Sequence, residues 1–475
     1  MKRLVKVAKV IAVGVLVLAL INGIFSIVLG RRLEREILAI KASGAQVAMA
    51  ELGLPKVPDA ENGAIIYAKV IKVLSGGMVL NPKGGHPIKA GTRPEDLGLI
   101  IDRFVDAAER QKDPKLWDEA RLIMPRYRRL LPLIEEAASR PACQFAVNWQ
   151  DGTAALFPHF AQMRPMAKLL EANALLEARD GDMDEAVRSV ELSFKVSRSL
   201  KDDPSIIGEL VRIAIIKISS QSLREILQYG SISEAQARRL DSTLSQPGML
   251  PSFDRAMQGE RCFGLWGFEL IRGNSAGLPG LLAQSGGTAR FPMLWRALGD
   301  VWRPVSYADE LVYLKMINHE AGLMRRPYRD IHDKLELADP STKLPRYAIM
   351  SRIMLPVFSR ATARRDDGIA EIGGSRILLG LEAYKDRYGY YPANLKALKA
   401  VGWEIPTDPF SGKDFIYKPQ GNGFVFYSVG DNFKDDGMKP LAQSESNKGT
   451  PTSEGYKYKN AKGELMADIV WEMDH

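Results

Sequence analysis

An uncharged apolar run near the N-terminus constrains the fold of this chain more than any other feature. It extends from Val10 to Leu29, about 20 residues, which lets a helix cross the ~30 Å hydrocarbon core of a membrane. The run is long for the apolar part of a signal peptide, and no small-residue cleavage motif follows it before Arg31. We therefore predict an uncleaved membrane anchor over residues 1–36, with a cleaved signal peptide as the alternative.

Basic residues flank this run on both sides, and their balance predicts the topology. Lys and Arg close to a membrane span are retained on the cytoplasmic side. The flanking residues are Lys2, Arg3, Lys6 and Lys9 before the run and Arg31, Arg32 and Arg35 after it. The small N-terminal excess predicts a single-pass protein of the bacterial inner (cytoplasmic) membrane with its bulk in the periplasm. A body that faces the cytoplasm is the alternative.

The composition is that of a folded protein without a nucleic-acid site. Of 475 residues, 46% are hydrophobic and 26% are charged, which is ordinary for a chain of a few globular domains. The net charge of +8 is a small excess of 65 basic over 57 acidic residues, and the two signs alternate along the chain. Alternating charge is typical of a solvated surface. We find no nucleic-acid-binding motif and predict no nucleic-acid partner.

Two cysteines, Cys143 and Cys262, lie far apart in helical, partly apolar surroundings. Such surroundings favour two buried thiols. A disulfide between them is the alternative if the body lies outside the cytoplasm. Neither cysteine has another Cys or a His at ligand spacing, so a metal site built on them is not expected.

A helical body is predicted for residues 37–340, because apolar residues recur there at helical spacing between breaks rich in Gly and Pro. Its clearest unit is a pair of helices on either side of Gly181. The small residues Ala174, Gly181 and Ala186 fall where a tetratricopeptide-like hairpin needs them. Because one copy is readable, a plain helical hairpin is the alternative.

The histidines do not have the spacing of a catalytic motif. A zincin helix needs two His four residues apart with a Glu between them, whereas His319 and His332 are 13 residues apart (332 − 319). With no nucleophile motif either, we predict a non-catalytic scaffold or interaction module. The alternative is an exported hydrolase whose site lies in the helical body and uses Asp and Glu with His159, His319 or His332.

Residues 341–475 predict a smaller α+β unit. A helical stretch from Pro345 to about Tyr388 carries an apolar stripe, and an internal Gly-Gly pair is expected to bend or divide it. Two strand segments follow, at 415–417 and 424–427, joined by a Gln-Gly-Asn-Gly turn. One long helix packed on a small antiparallel sheet is the simplest solution. The predicted fold class is therefore mainly α with a C-terminal α+β domain.

The motif order of this unit resembles the globular domain of the major pseudopilins of type II secretion. The shared motifs are a Tyr-Pro step after a helix, an Asp-Pro-aromatic turn that leads into an aromatic strand, a Tyr-Ser-x-Gly strand end and a closing Asp-Ile-x-Trp segment. The matching residues are Tyr391, Pro392, Asp408, Pro409, Phe410, Gly412, Phe415, Tyr417, Tyr427, Ser428, Gly430, Asp468, Ile469 and Trp471. The resemblance implies protein partners in a secretion- or pilus-type assembly. The remainder is similar to large bacterial envelope proteins that combine an N-terminal anchor with a helical body.

The chain departs from the pseudopilin family near its N-terminus. Gly30-Arg31-Arg32 stands where a prepilin peptidase site is needed, and the helical body separates the anchor from the C-terminal module. Processing by that peptidase and polymerisation into a pilus are therefore not expected.

The resemblance also implies a calcium ion in the loop after the Tyr-Ser-x-Gly strand. In pseudopilins this loop holds calcium, and here Asn432 matches the first side-chain ligand and Asp468 a late one. The residues themselves allow such a site, because Ca²⁺ takes about six to eight oxygen ligands and acidic side chains crowd one Gly-bounded loop. The predicted metal ligands are the Val429 carbonyl and the side chains of Asp431, Asn432, Asp435, Asp436 and Asp468. A solvated Asp/Asn/Gly turn is the alternative.

Overall fold

Helices make up most of this protein. The computed structural model describes residues 2–75, 94–149, 157–273, 292–333, 344–355, 358–438, 458–459, 465–466 and 469–473. It is 69% helical, with a small three-stranded antiparallel sheet near the C-terminus. The predicted fold class, mainly α with a C-terminal α+β part, is confirmed.

The described helices follow one another through the body and continue into the C-terminal part. They are α1 (Lys2–Ala42), α2 (Gly63–Leu74), α3 (Pro94–Val105), α4 (Ala107–Lys112), α5 (Leu116–Arg128), α6 (Leu131–Ser139), α7 (Pro158–Asp180), α8 (Met183–Arg198), α9 (Ile206–Ile226), α10 (Glu234–Leu244), α11 (Asp254–Gly273), α12 (Pro292–Leu323), α13 (Ile349–Met354) and α14 (Phe358–Tyr388). The strands are β1 (Ile416–Gln420), β2 (Gly423–Ser428), β3 (Tyr458–Lys459), β4 (Leu465–Met466) and β5 (Ile469–Met473).

Helix α1 has two halves with different surroundings. Among the described residues it is the one helix long and apolar enough to cross a membrane, and its apolar window is not buried by the rest of the chain. From Gly30 onward the same helix packs on the body. Leu33 is buried against Leu265 of α11 and Leu314 of α12, and Gly30 lies against the ring of Tyr307. An N-terminal candidate membrane span is thus continuous with a packed helical segment.

Helices α7, α8 and α9 form the centre of the body and pack closely on one another. Gly181 ends α7 in the left-handed region (φ 90°), and the Asp182 side chain caps α8 by accepting from the Glu185 N–H. Glycine suits the first of these positions and aspartate the second. Ala174 and Ala186 are fully buried between the helices, as the predicted hairpin requires.

Helix α14 joins the body to the sheet. Its body-facing side forms ion pairs of 3.1 Å from Lys217 to Asp367 and of 2.7 Å from Arg376 to Asp241. Its other side carries the sheet, whose strand order is β1-β2-β5 with every neighbour antiparallel. One hydrophobic cluster runs without a break from α2 in the body to Met473 in β5.

The Gly373-Gly374 pair was expected to bend or divide the helix. It does not divide α14, which continues through both glycines. A Cβ on Gly374 would lie 2.1 Å from the indole of Trp471, and one on Gly373 would lie 3.5 Å from the Phe415 ring. The pair therefore lets the sheet approach the helix. Trp471 in turn stacks on Phe426 of β2, with ring centroids 5.0 Å apart.

Candidate functional site

The acidic loop that follows β2 is held by hydrogen bonds within itself. The Asn432 amide donates to Asp436 Oδ2 (2.6 Å), and Asn432 Oδ1 accepts from the Lys434 N–H (2.9 Å). Asp435 Oδ1 accepts from the Tyr427 hydroxyl (2.8 Å). The structure thus brings Asn432 and Asp436 together, whereas Asp435 turns to the strand.

Phe433 fixes the conformation of this loop. It has a positive φ of 59°, which is uncommon for a bulky residue. Its ring lies 4.2 Å from His332 and 5.5 Å from Tyr328, and Phe410 closes the cluster at 6.3 Å. Aromatic packing therefore holds the backbone of the acidic loop in its shape.

Of the other three predicted calcium ligands, the two that the structure describes lie in different surroundings from one another. Val429 is buried at the end of β2, Asp431 is exposed, and Asp468 lies outside the described residues. Across the described ranges, no group of three or more His, Cys, Asp or Glu side chains is arranged to hold a metal. The pair Asn432 and Asp436 has the oxygen chemistry that calcium prefers, and the calcium site stays a prediction.

The histidines considered for hydrolysis have separate surroundings. His159 stacks on Phe145 at 4.1 Å and has its Nε2 3.7 Å from Asp203 Oδ2. His332 lies in the aromatic cluster of the acidic loop, and His319 lies on α12 beside Glu320. No hydrogen bond or ring contact between described residues joins two of them.

Both cysteines are free thiols, Cys262 buried and Cys143 half-buried. Burial raises the pKa of each thiol to about 12. A protonated thiol is a weak nucleophile, so neither has the electrostatics of a catalytic cysteine.

A charged cavity of about 520 Å³ opens in the helical body. Its walls come from the α3–α5 segment, α7 and α9, and α14 and β5 complete the rim. This volume lies within the range of small-molecule sites. Trp117 and Tyr229 are the aromatic part of the lining, in edge contact at 5.9 Å.

Most charges of this cavity are paired with one another. Lys168 donates to Asp102 at 2.8 Å, and Arg224 donates to Glu371 at 2.9 Å. Arg110 is buried against Glu225, which also accepts from Gln221. Lys217 pairs with Asp367, and Asp106 caps α4. Most charged side chains of the lining are therefore held in specific ion pairs and hydrogen bonds.

Glu171 of α7 is an exception. Its side chain lines the cavity and is only 4% exposed, yet no described residue forms a hydrogen bond or an ion pair with it. Burial, and then the nearby Glu225 carboxylate, raise the pKa of Glu171 well above its usual range, against the opposing charges of Arg110, Lys168 and Arg224. A carboxyl group placed in this way takes either a proton or a cation.

Arg164 is the second exception. It lies at the exposed edge of the cavity, seven residues before Glu171 (171 − 164). Seven residues are close to two helical turns, which places the two side chains on one face of α7 about 10 Å apart along its axis. Arg164 and Glu171 are the only charged lining residues without such a partner among the residues that the structure describes.

This cavity was not predicted from the sequence, although its charged residues leave a signal there. Arg164, Lys168 and Glu171 follow helical spacing on a helix that is otherwise buried on nearly all sides. A charged stripe on such a helix indicates a polar cavity or a buried network. The lining residues on α9 and β5 are distant in sequence and leave no comparable pattern.

Comparison of the whole chain with protein-family models, curated proteins and solved structures finds no match. The resemblance to pseudopilins therefore stays a prediction that rests on the motif residues.

Proposed function

We propose that this protein is a single-pass, membrane-anchored scaffold or interaction module of the bacterial envelope, without catalytic activity of its own. The observation that carries this proposal is the continuity of α1. Its apolar half projects uncovered, and the half that begins at Gly30 is packed against α11 and α12. A helix inserted in the membrane and rigidly joined to the body would hold that body next to the membrane surface.

The proposed location is the inner membrane with the body in the periplasm. It is supported by the basic flanks, which have one more residue before the span than after it. The proposed partners are other proteins of a secretion- or pilus-like assembly, bound by the C-terminal unit. Support for this part comes from the pseudopilin-like motifs and from the small sheet packed on α14.

Reporter fusions at His475 test the topology in living bacteria. We expect the full chain fused to alkaline phosphatase to be active and membrane-bound, and the same chain fused to a cytoplasm-restricted fluorescent protein to be dark. The matched control carries Leu16→Arg and Leu18→Arg, which interrupt the apolar run and should release the protein from the membrane fraction. Bright fluorescence with inactive phosphatase would overturn the periplasmic placement.

A further inference from the structure

We propose that the cavity of the helical body binds a small zwitterion, with the ammonium group of the ligand on Glu171 and its anionic end at Arg164. A short peptide or an ω-amino acid has this chemistry. The proposal goes beyond the envelope role, because neither the anchor nor the acidic loop contributes to the cavity.

The charge balance of the lining selects this class of ligand. Four of its bases, Arg110, Lys168, Lys217 and Arg224, already have carboxylate partners. A dianionic ligand such as a phosphate would have to compete with those pairs. What the described lining leaves unpaired is one carboxyl and one guanidinium, both on α7, and a ligand with one charge of each sign matches them.

The two unpaired groups differ in depth, which orients the ligand. Glu171 is 4% exposed, whereas Arg164 is exposed to solvent. An ammonium group that reaches Glu171 satisfies a buried carboxylate and keeps it ionised. The anionic end then remains near solvent, where its contact with Arg164 is screened and contributes less.

The geometry also explains why the two groups do not satisfy each other. Their Cα atoms are about 10 Å apart along α7, and Lys168, which lies between them, is held by Asp102 at 2.8 Å. The gap suits a ligand whose two charges are separated by several bonds. Trp117 and Tyr229 supply the aromatic surface of the same lining.

Calorimetric titration of the full chain in detergent with three matched probes tests the proposal. The probes are 6-aminohexanoate, which carries both charges, hexylammonium, which carries the cation only, and hexanoate, which carries the anion only. We expect 6-aminohexanoate to bind most tightly, hexylammonium to bind more weakly and hexanoate to bind weakest.

Two variants assign the two ends of the ligand. Glu171→Gln is expected to weaken 6-aminohexanoate binding by at least about tenfold, because a buried charge pair is lost. Arg164→Gln is expected to weaken it by only about two- to fivefold and to leave hexylammonium unchanged. Glu177→Gln is the control, since Glu177 lies on the same helix, pairs with Arg128 and does not line the cavity.

Three results would overturn the proposal: hexanoate binding as tightly as 6-aminohexanoate, unchanged affinity in Glu171→Gln, or no binding of either ammonium probe at millimolar concentration. If Arg164→Gln weakens hexylammonium as much as 6-aminohexanoate, the assignment of the anionic end is wrong. The probe series on the wild-type chain decides the matter even if a variant fails to fold.

Discussion

The acidic loop after β2 and the cavity of the helical body are both rich in charge, but they are built in opposite ways. The loop collects its carboxylates within a few consecutive residues, on the surface, and satisfies Asn432 and Asp436 locally. The cavity collects its charges from helices far apart in sequence and buries several of them, including Arg110 and Glu371. A local cluster is visible in a sequence, but its polar groups can also form hydrogen bonds with water. The polar groups of a buried network must find their hydrogen-bond partners within the protein.

The largest expected difference between the two regions is in stability. Replacing Arg224 by Ala removes the partner of Glu371, which is 1% exposed, and the cation over the Trp471 ring at 5.4 Å. Breaking a buried pair from one side costs about 3–5 kcal/mol. We expect the free energy of unfolding, measured by urea denaturation in detergent, to fall by that amount.

Arg188→Ala is the matched control, because Arg188 and its partner Glu135 are both about half exposed. We expect a loss of no more than about 1 kcal/mol. Equal effects of the two substitutions would show that the cavity network is no more structural than a surface pair.

The acidic loop is the region that calcium would stabilise. If calcium binds there, the full chain should melt at a higher temperature with calcium than with EGTA. The gain is about 2.7 kcal/mol at a calcium concentration one hundred times the Kd. Asp436→Asn should abolish the shift, and magnesium in place of calcium serves as the control ion. An identical midpoint with calcium and EGTA would leave the loop as a solvated turn.

The fold was largely predictable where local rules agree with packing. The α7–α8 hairpin follows from Gly181 and from the small residues Ala174 and Ala186, and two of the three strands of the sheet follow from the aromatic segments. The role of the Gly-Gly pair of α14 was harder to predict, since glycine weakens an isolated helix. Its role depends on Trp471, which lies almost 100 residues away (471 − 374 = 97). The cavity was not predictable for the same reason: Glu171 and Glu225 meet only through the packing of α7 on α9.

The unpaired carboxyl of the cavity, Glu171, should make the stability of the protein depend on pH. The pKa of Glu171 is raised in the folded state, by burial first and by Glu225 next. The folded state therefore binds the proton more tightly than the unfolded state, and Glu171 costs stability as pH rises above the usual range for Glu, near 4.5. Glu171→Gln removes that cost. We expect the variant to match the wild type at acidic pH and to be the more stable of the two at neutral pH, where the buried Glu171 carboxylate is no longer present.

Urea titrations of both proteins across this pH range, at fixed ionic strength and without ligand, measure the effect. The control is Glu136→Gln, whose side chain is half exposed and pairs with Arg140, and its stability relative to wild type should change little with pH. A Glu171→Gln curve parallel to that of the wild type at every pH would mean that the cavity solvates Glu171 as well as water does.

The smallest loss of stability is expected for a substitution in the acidic loop without calcium. It can be compared with the loss caused by substituting a buried carboxylate of the same C-terminal unit. Asp408 is buried and accepts from Ser428 Oγ at 2.7 Å and from the Phe410 N–H at 3.1 Å. Asp435 is exposed and accepts from the Tyr427 hydroxyl. Asp435→Asn should cost less than about 1 kcal/mol and Asp408→Asn about 1.5–3 kcal/mol, since hydrogen bonds to a buried charged group are the stronger ones. Thermal denaturation in EGTA compares them directly. The reverse order would mean that the loop, rather than the Asp-Pro-Phe turn, stabilises the end of the sheet even without a metal.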